Sequence, residues 1–349
     1  MNFASDNWAG AHPKIAEALS AQSQGHAPAY GASPLDARVE ERLCDIFERK
    51  VAVFFVATGT AANSLSFATV ARPGGVVFAH AESHVIADEC GAPEFLSGGG
   101  RLCPVDGALG RMEPDALEAA IHRYPPEFIH AGQPMAVSLT QATEVGTTYS
   151  LDQISEIAGI CRRHGIPLHM DGARFANALA ALDCTPAEMT WKSGVDLLSF
   201  GGTKNGCWCA EAVIVLNPEL GADMHFLRKR AAQLFSKSRF IAAQFDAYLA
   251  DDLWLQTAAH ANSMAANLAN HAEQASALRL GWTPDANEVF MIMPKATQQK
   301  LSDAGAVFYP WHPPKSLEGK IGKDEVLTRF VTSFATTEAE VDRFGELVR

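Results

Sequence analysis

No block of lysine or arginine runs through this sequence, and its formal net charge is −12. A phosphate-tracking tail needs such a block, so nucleic-acid binding is disfavoured. Long apolar runs are missing too. Stretches such as KVAVFFVATG (50–59) are strand-sized and too short to cross a membrane. The opening residues MNFASDNWAG hold no basic stretch followed by an apolar core, so no signal peptide is expected. Neither G-x-G-x-x-G nor G-x-x-x-x-G-K-[ST] occurs, which sets back dinucleotide and P-loop readings. Cysteine is sparse and irregular: Cys44, Cys90, Cys103, Cys161, Cys184, Cys207 and Cys209. An odd number without regular spacing argues against a disulfide framework and for a reducing compartment, here the cytoplasm. Cys207 and Cys209 form a C-x-C pair with no second pair at zinc-finger spacing, so packing is expected there and no metal ligand.

What is present is enough apolar material for a large core. The 349 residues are 48% hydrophobic, and the length suggests two domains. Strand-like runs alternate with helical ones. VAVFFVAT (51–58) leads into the helical GTAANSLSFATVA, and GVVFAHAESH (75–84) reads as a second strand. EFIHAGQPMAVSLT (127–140) holds one or two more, before a helix over 150–165 with Ser150 as N-cap and Gly165 as C-cap. IPLHMD (166–171), VDLLSFGGTK (195–204) and AEAVIVLN (210–217) complete the set. Short apolar strands separated by helices describe an α/β domain with a mostly parallel central sheet and helices on both faces. Ligands collect beyond the carboxyl ends of such strands, where Thr58, His84, Asp171 and Lys204 fall. After residue 220 one long helical tract is expected from MHFLRKRAAQLF through HAEQASALRL. It leads to a smaller α+β region with strands in NEVFMIMP and TRFVTSFA and a final helix in EAEVDRFGELV. The division expected is a large domain over 1–245 and a smaller one over 246–349.

Within LLSFGGTKNGCWC (197–209) one lysine stands among apolar, small and sulfur-bearing residues. A buried unpaired ammonium is costly. Lys204 therefore either reaches water from a loop or binds an aldehyde cofactor covalently, the small residues around it making room for that group. The turn FFVATGTAAN offers Thr58, Gly59 and Thr60 at a helix start, where unpaired N–H groups and the helix dipole favour a phosphate. Gly and Thr also serve simply to turn a chain. In PLHMDGAR, Asp171 ends a strand, and Gly172–Ala173 leave space for something flat. An ionised Asp171 suits a protonated pyridine nitrogen; a helix cap or an ion pair with Arg174 is the alternative. His84, in HAESHV, either lies flat against an aromatic ring or is structural. Together these pieces ask for one ligand with a phosphate, a pyridine ring and an aldehyde: pyridoxal 5′-phosphate.

With these motifs the chain resembles the low-specificity L-threonine aldolases, fold-type-I pyridoxal-phosphate enzymes of the aromatic amino acid beta-eliminating lyase group. The resemblance runs nearly end to end, through SDN (5–7), AYG (29–31), ATGTAAN (57–63), ESHV (82–85), HMDGAR (169–174), GGTKNG (201–206) and LTRFVTS (327–333). It implies that Lys204 holds the cofactor and Asp171 its pyridine nitrogen, with His84 stacked on the ring and assisting proton transfer. Thr58, Gly59 and Thr60 would cradle the phosphate. Ser5, Arg174 and Arg329 would fix the substrate carboxylate, Arg174 also standing near the cofactor. The implied assembly is a homo-oligomer, a dimer or tetramer, with the site at a subunit interface. Tyr30 and Arg239 would then come from the neighbouring chain, Lys237 and Arg230 being rivals for the latter's role toward the phosphate. One segment departs from the pattern: LTQATE (139–144) stands where family members carry ENTHN, and Thr143 falls at the place of its histidine. Water, His84 or another group would handle the β-hydroxyl proton instead; His130 lies nearby in sequence. The implied reaction is retro-aldol cleavage of L-threonine, L-allo-threonine and related β-hydroxy-α-amino acids to glycine and an aldehyde. That would be a step of threonine catabolism that also yields glycine. Another enzyme of the same scaffold, a beta-eliminating lyase or an aminotransferase, is the alternative.

Overall fold

The computed structural model describes residues 1–349, Ser316 by its backbone alone. Seven strands form the main sheet: β1 (Ala52–Val56), β2 (Gly75–His80), β3 (Arg101–Val105), β4 (Gln133–Thr140), β5 (Leu168–Gly172), β6 (Leu197–Gly201) and β7 (Glu211–Val215). Their order is β1-β7-β6-β5-β4-β2-β3, parallel from β6 to β3, with β7 antiparallel to both neighbours. The strands β2, β5, β6 and β7 are buried along their whole length, as expected of continuous apolar runs covered on both faces by helices. Under one face Phe175, Phe200 and Phe245 pack in sequence, the first pair edge to face and the second tilted, with ring centroids 5.6 Å apart at each step. Trp254 closes this cluster at 5.9 Å from Phe200.

The helix Leu151–His164 begins and ends as its sequence dictates. Ser150 and Gln153 form a reciprocal capping box, and Gly165 takes the left-handed conformation that ends the helix. The tract after residue 220 differs from its reading. It is three helices, Met224–Arg230, Arg239–Leu249 and Leu253–Gln274, not one. The breaks coincide with left-handed residues, Ala232 at φ 58° and Asp251 and Asp252 at 51° and 54°. No glycine or proline marks them, so the apolar periodicity reads straight through. The strand β3 was not anticipated, and 127–140 yields only one strand.

A second, antiparallel sheet has the order β10-β11-β9-β8, from β8 (Arg279–Leu280), β9 (Glu288–Pro294), β10 (Tyr309–Pro310) and β11 (Glu325–Val331). Its core gathers Met291, Phe330 and Phe344 with Met264 and Leu268 of the long helix, whose first turns at Trp254 and Ala258 belong to the main core. The N-terminus joins it as well. Asn2 bridges Val307, and Phe3 packs 5.8 Å from the ring of Phe330. This anchor carries the next turn, Asp6–Trp8, toward the carboxyl edge of the main sheet. Among the described residues no helix is long and apolar enough to cross a membrane.

Candidate active site

At that edge a cavity of about 230 Å³ is lined by Thr58, Gly59, Thr60, His84, Asp171 and Lys204 among others. Six residues singled out from the sequence thus meet in one place. The register explains it: Val56 and Gly201 both pair with Glu211, and Thr140 pairs with Asp171, so these strands end level.

The helix Gly59–Thr69 starts at the rim. Thr58 caps it, its Oγ1 accepting from Ala61 N at 3.1 Å, which leaves the N–H groups of Gly59 and Thr60 without an acceptor in the described chain. A Cβ built on Gly59 meets nothing within 4 Å, so the cradle is open. Such a terminus binds an anion through its free donors and its dipole.

Asp171 is buried at the end of β5. Its Oδ1 accepts from Ala173 N at 3.0 Å and its Oδ2 from Asn63 Nδ2 at 2.8 Å. It makes no pair with Arg174. The same Asn63 amide donates to Glu89 Oε1 at 2.8 Å, and His84 Nδ1 lies 2.9 Å from that oxygen. His84, Glu89, Asn63 and Asp171 therefore form one connected chain. The Glu89 hydrogen bond raises the His84 pKa above its ordinary value, and burial raises that of Glu89. Neither Glu89 nor Asn63 was picked out from the sequence. Asn63 is the one amide in the helix Gly59–Thr69, whose other polar side chains are small hydroxyls, and that was its available signal.

Lys204 sits in the turn Thr203–Asn205 after β6 and makes no hydrogen bond or ion pair with any described residue. The glycines beside it do not make room for a ligand, contrary to the expectation. A Cβ on Gly201 would lie 2.6 Å from the carbonyl oxygen of Ala173, and one on Gly202 2.9 Å from that of Ala210. Gly172 is likewise pressed against Ser199 O, at 2.7 Å. These residues are small because backbones cross closely there. Glu211 was also missed. It is buried against the same turn, accepts from Thr203 N at 3.3 Å, and is pushed up to about 7 by burial.

The remaining predicted residues lie outside the cavity lining. Arg174 is buried in an ion cluster, with Nε 2.7 Å from Asp6 Oδ2, Nη2 3.1 Å from Asp6 Oδ1 and Nη1 3.3 Å from Glu288 Oε2. Arg329 Nη1 lies 3.7 Å from Glu288 Oε1, its guanidinium 4.4 Å over the Trp311 ring. Burial pushes Glu288 up to about 7, and the Arg174 ion pairs hold Asp6 below its usual range despite burial. Ser5 accepts from Asn7 N at 3.1 Å, and it is Asn7 that reaches the cavity. Tyr30 is exposed, and Arg239 donates to Gly25 O at 3.4 Å. His130 is exposed beside Phe128. Thr143 is buried and bonded to Thr147 Oγ1 at 2.8 Å; the next residue, Glu144, lines the cavity instead. All seven cysteines are free, Cys207 buried in the main core and Cys209 donating to Ala57 O at 3.2 Å.

The chain is similar over its full length to two proteins named low specificity L-threonine aldolase. One, from Pseudomonas aeruginosa, is 40% identical with 96% of its length covered; the other, from another Pseudomonas strain, is 39% identical with 97% covered. A solved structure of Leishmania major threonine aldolase superposes with a TM-score of 0.91 at 29% identity, covering 99% of this chain and 98% of that one. The Beta-eliminating lyase family profile matches residues 2–296. The chain belongs to the beta-eliminating lyase family.

Proposed function

We propose that this chain is a pyridoxal 5′-phosphate-dependent L-threonine aldolase that cleaves L-threonine, L-allo-threonine and related β-hydroxy-α-amino acids to glycine and an aldehyde. The observation that carries the reading is the convergence of an unpartnered lysine, a pinned carboxylate and an open helix N-terminus on one cavity. Those three groups match the aldehyde, the pyridine nitrogen and the phosphate of the cofactor. Bound there, it would supply the aldehyde that captures an amino-acid amine and a ring that accepts the electrons of a broken bond at Cα.

The residues of the chain do the rest. Lys204 would hold the cofactor's aldehyde through its side-chain amine. Asp171, held at both oxygens, would hold the ring nitrogen, and Thr58 with the N–H groups of Gly59 and Thr60 would hold the phosphate. His84, fixed by Glu89, would lie against the ring. Arg174 and Arg329, with Ser5, orient the substrate carboxylate. Glu288 lies 3.3 Å from Arg174 Nη1 and 3.7 Å from Arg329 Nη1 and holds both guanidiniums in place. Orientation of this kind is worth up to roughly 7–11 kcal/mol in well-aligned systems.

Tyr30 and Arg239 belong to the site of a neighbouring subunit in a homodimer or homotetramer. The large exposed aromatics Trp8 and Trp208 support an interface between subunits. The free cysteines support a cytoplasmic enzyme, which would consume threonine and supply glycine.

The test is to load the protein with the cofactor, add L-threonine, and quantify acetaldehyde and glycine. Equimolar products that vanish in Lys204→Ala are expected. Release of ammonia and a keto acid would point to β-elimination, the reaction in the family's name; no product with any β-hydroxy amino acid would refute the reading.

A further inference from the structure

Cleaving a β-hydroxy amino acid between Cα and Cβ requires a base on the hydroxyl, and the cavity lining contains several acid–base groups besides Lys204. Most are already engaged. Both oxygens of Asp171 accept hydrogen bonds, from Asn63 and Ala173. Glu89 is held through Oε1, which accepts from Asn63 and meets His84, while its Oε2 is buried without a partner. Glu211 accepts from Thr203 and lies at the Lys204 turn. His84 is tied through Nδ1 to Glu89, at 2.9 Å, which raises its pKa. Thr143 is buried, bonded to Thr147 and packed against Gly110.

Glu144 differs from all of these. It lines the cavity, is half-buried, and makes no hydrogen bond or ion pair with any described residue. It is near enough to His84 and to Arg174 for its charge to act on both. It is thus a carboxylate free to meet a substrate hydroxyl in the cavity that His84 and Lys204 also line. Resting on the aldolase reading above, we propose that Glu144 is the general base that takes the β-hydroxyl proton. Its carboxylate accepts that proton as the Cβ–O bond becomes a carbonyl. The Cα–Cβ bond breaks with its electron pair left on the glycine fragment, and the aldehyde departs. The proton on Glu144 returns to solvent, and the glycine fragment takes up another at Cα.

The variant is Glu144→Gln, which keeps the volume and removes the basicity. Two reactions of the cofactor-loaded protein separate chemistry from structure. Cleavage of L-threonine needs a base at the hydroxyl; exchange of the glycine α-hydrogen in deuterated water does not. Cleavage is expected to fall by about 10²-fold or more, with glycine exchange within about threefold of wild type. Cleavage retained within about threefold, or both reactions lost together, would overturn the assignment. A wild-type protein that exchanges glycine hydrogens but cleaves nothing would instead overturn the aldolase reading, and this assignment with it. An independent readout uses the cofactor-free protein. His84 faces Glu89, Glu144, Asp171 and Lys204, so removing the Glu144 charge should lower the pH midpoint of its imidazole resonances. An unmoved midpoint would refute the placement of Glu144 against His84.

Discussion

Glu211 offers a stability experiment whose sign and size follow from its surroundings. It is buried at the start of β7, and burial raises its pKa from an ordinary 4.5 to about 7, against the lowering effect of Thr203 and Lys204. A carboxyl raised on folding binds more protons in the native state than in the unfolded chain over that interval. Stability is therefore full below about pH 4.5 and declines as pH rises toward 7, then levels off. The whole decline is about 3 kcal/mol, and about 2.5 kcal/mol of it falls between about pH 5 and pH 8.5. Glu211→Gln keeps an acceptor for Thr203 N and does not titrate. The measurement is urea unfolding of the cofactor-free wild type and variant at those two pH values. Glu288, raised in the same direction, contributes equally to both proteins and cancels in the comparison. The variant should gain about 2.5 kcal/mol on the wild type between the lower and the higher pH. A gain below about 1 kcal/mol would show that Glu211 ionises at its ordinary pH, and that the buried position carries no charge penalty.

Asp6→Asn removes the bidentate partner of Arg174 and leaves a buried guanidinium short of one charge. Breaking such a pair costs about 3–5 kcal/mol, readable as a lowered urea midpoint at neutral pH; an unchanged midpoint would mean that Glu288 suffices. Thr58→Ala deletes the N-cap of the helix Gly59–Thr69. The cofactor-free protein should lose about 1 kcal/mol and bind the cofactor more weakly, whereas Thr58→Ser should stay within a few tenths. Equal losses in the two variants would assign the effect to the lost methyl rather than to the cap.

The parts of this fold that the sequence disclosed are those written within a few residues of one another. Ser150 and Gln153 cap their helix across one turn, and the apolar runs that became β2, β5, β6 and β7 needed no distant partner to be read. The left-handed breaks at Ala232 and Asp251 carry no glycine or proline, so the commonest local markers of a helix break are missing there. The site divides the same way. Thr58, His84, Asp171 and Lys204 stand at strand ends and are visible there. Asn63 links Asp171, 108 residues away, to Glu89, and Asp6 meets Asn287 across 281 residues. No window of sequence contains either pair.

Glu211 shows why strand direction matters more than residue type. Had β7 run parallel to its neighbours, its first residue would lie at the amino edge of the sheet, far from any ligand. Because β7 runs antiparallel between β1 and β6, its first residue pairs with Val56 and Gly201, the last residues of theirs. That single reversal carries a buried carboxyl to the turn that holds Lys204. The sequence AEAVIVLN contains the strand but not its direction, and direction decides whether its glutamate is a surface residue or part of the site.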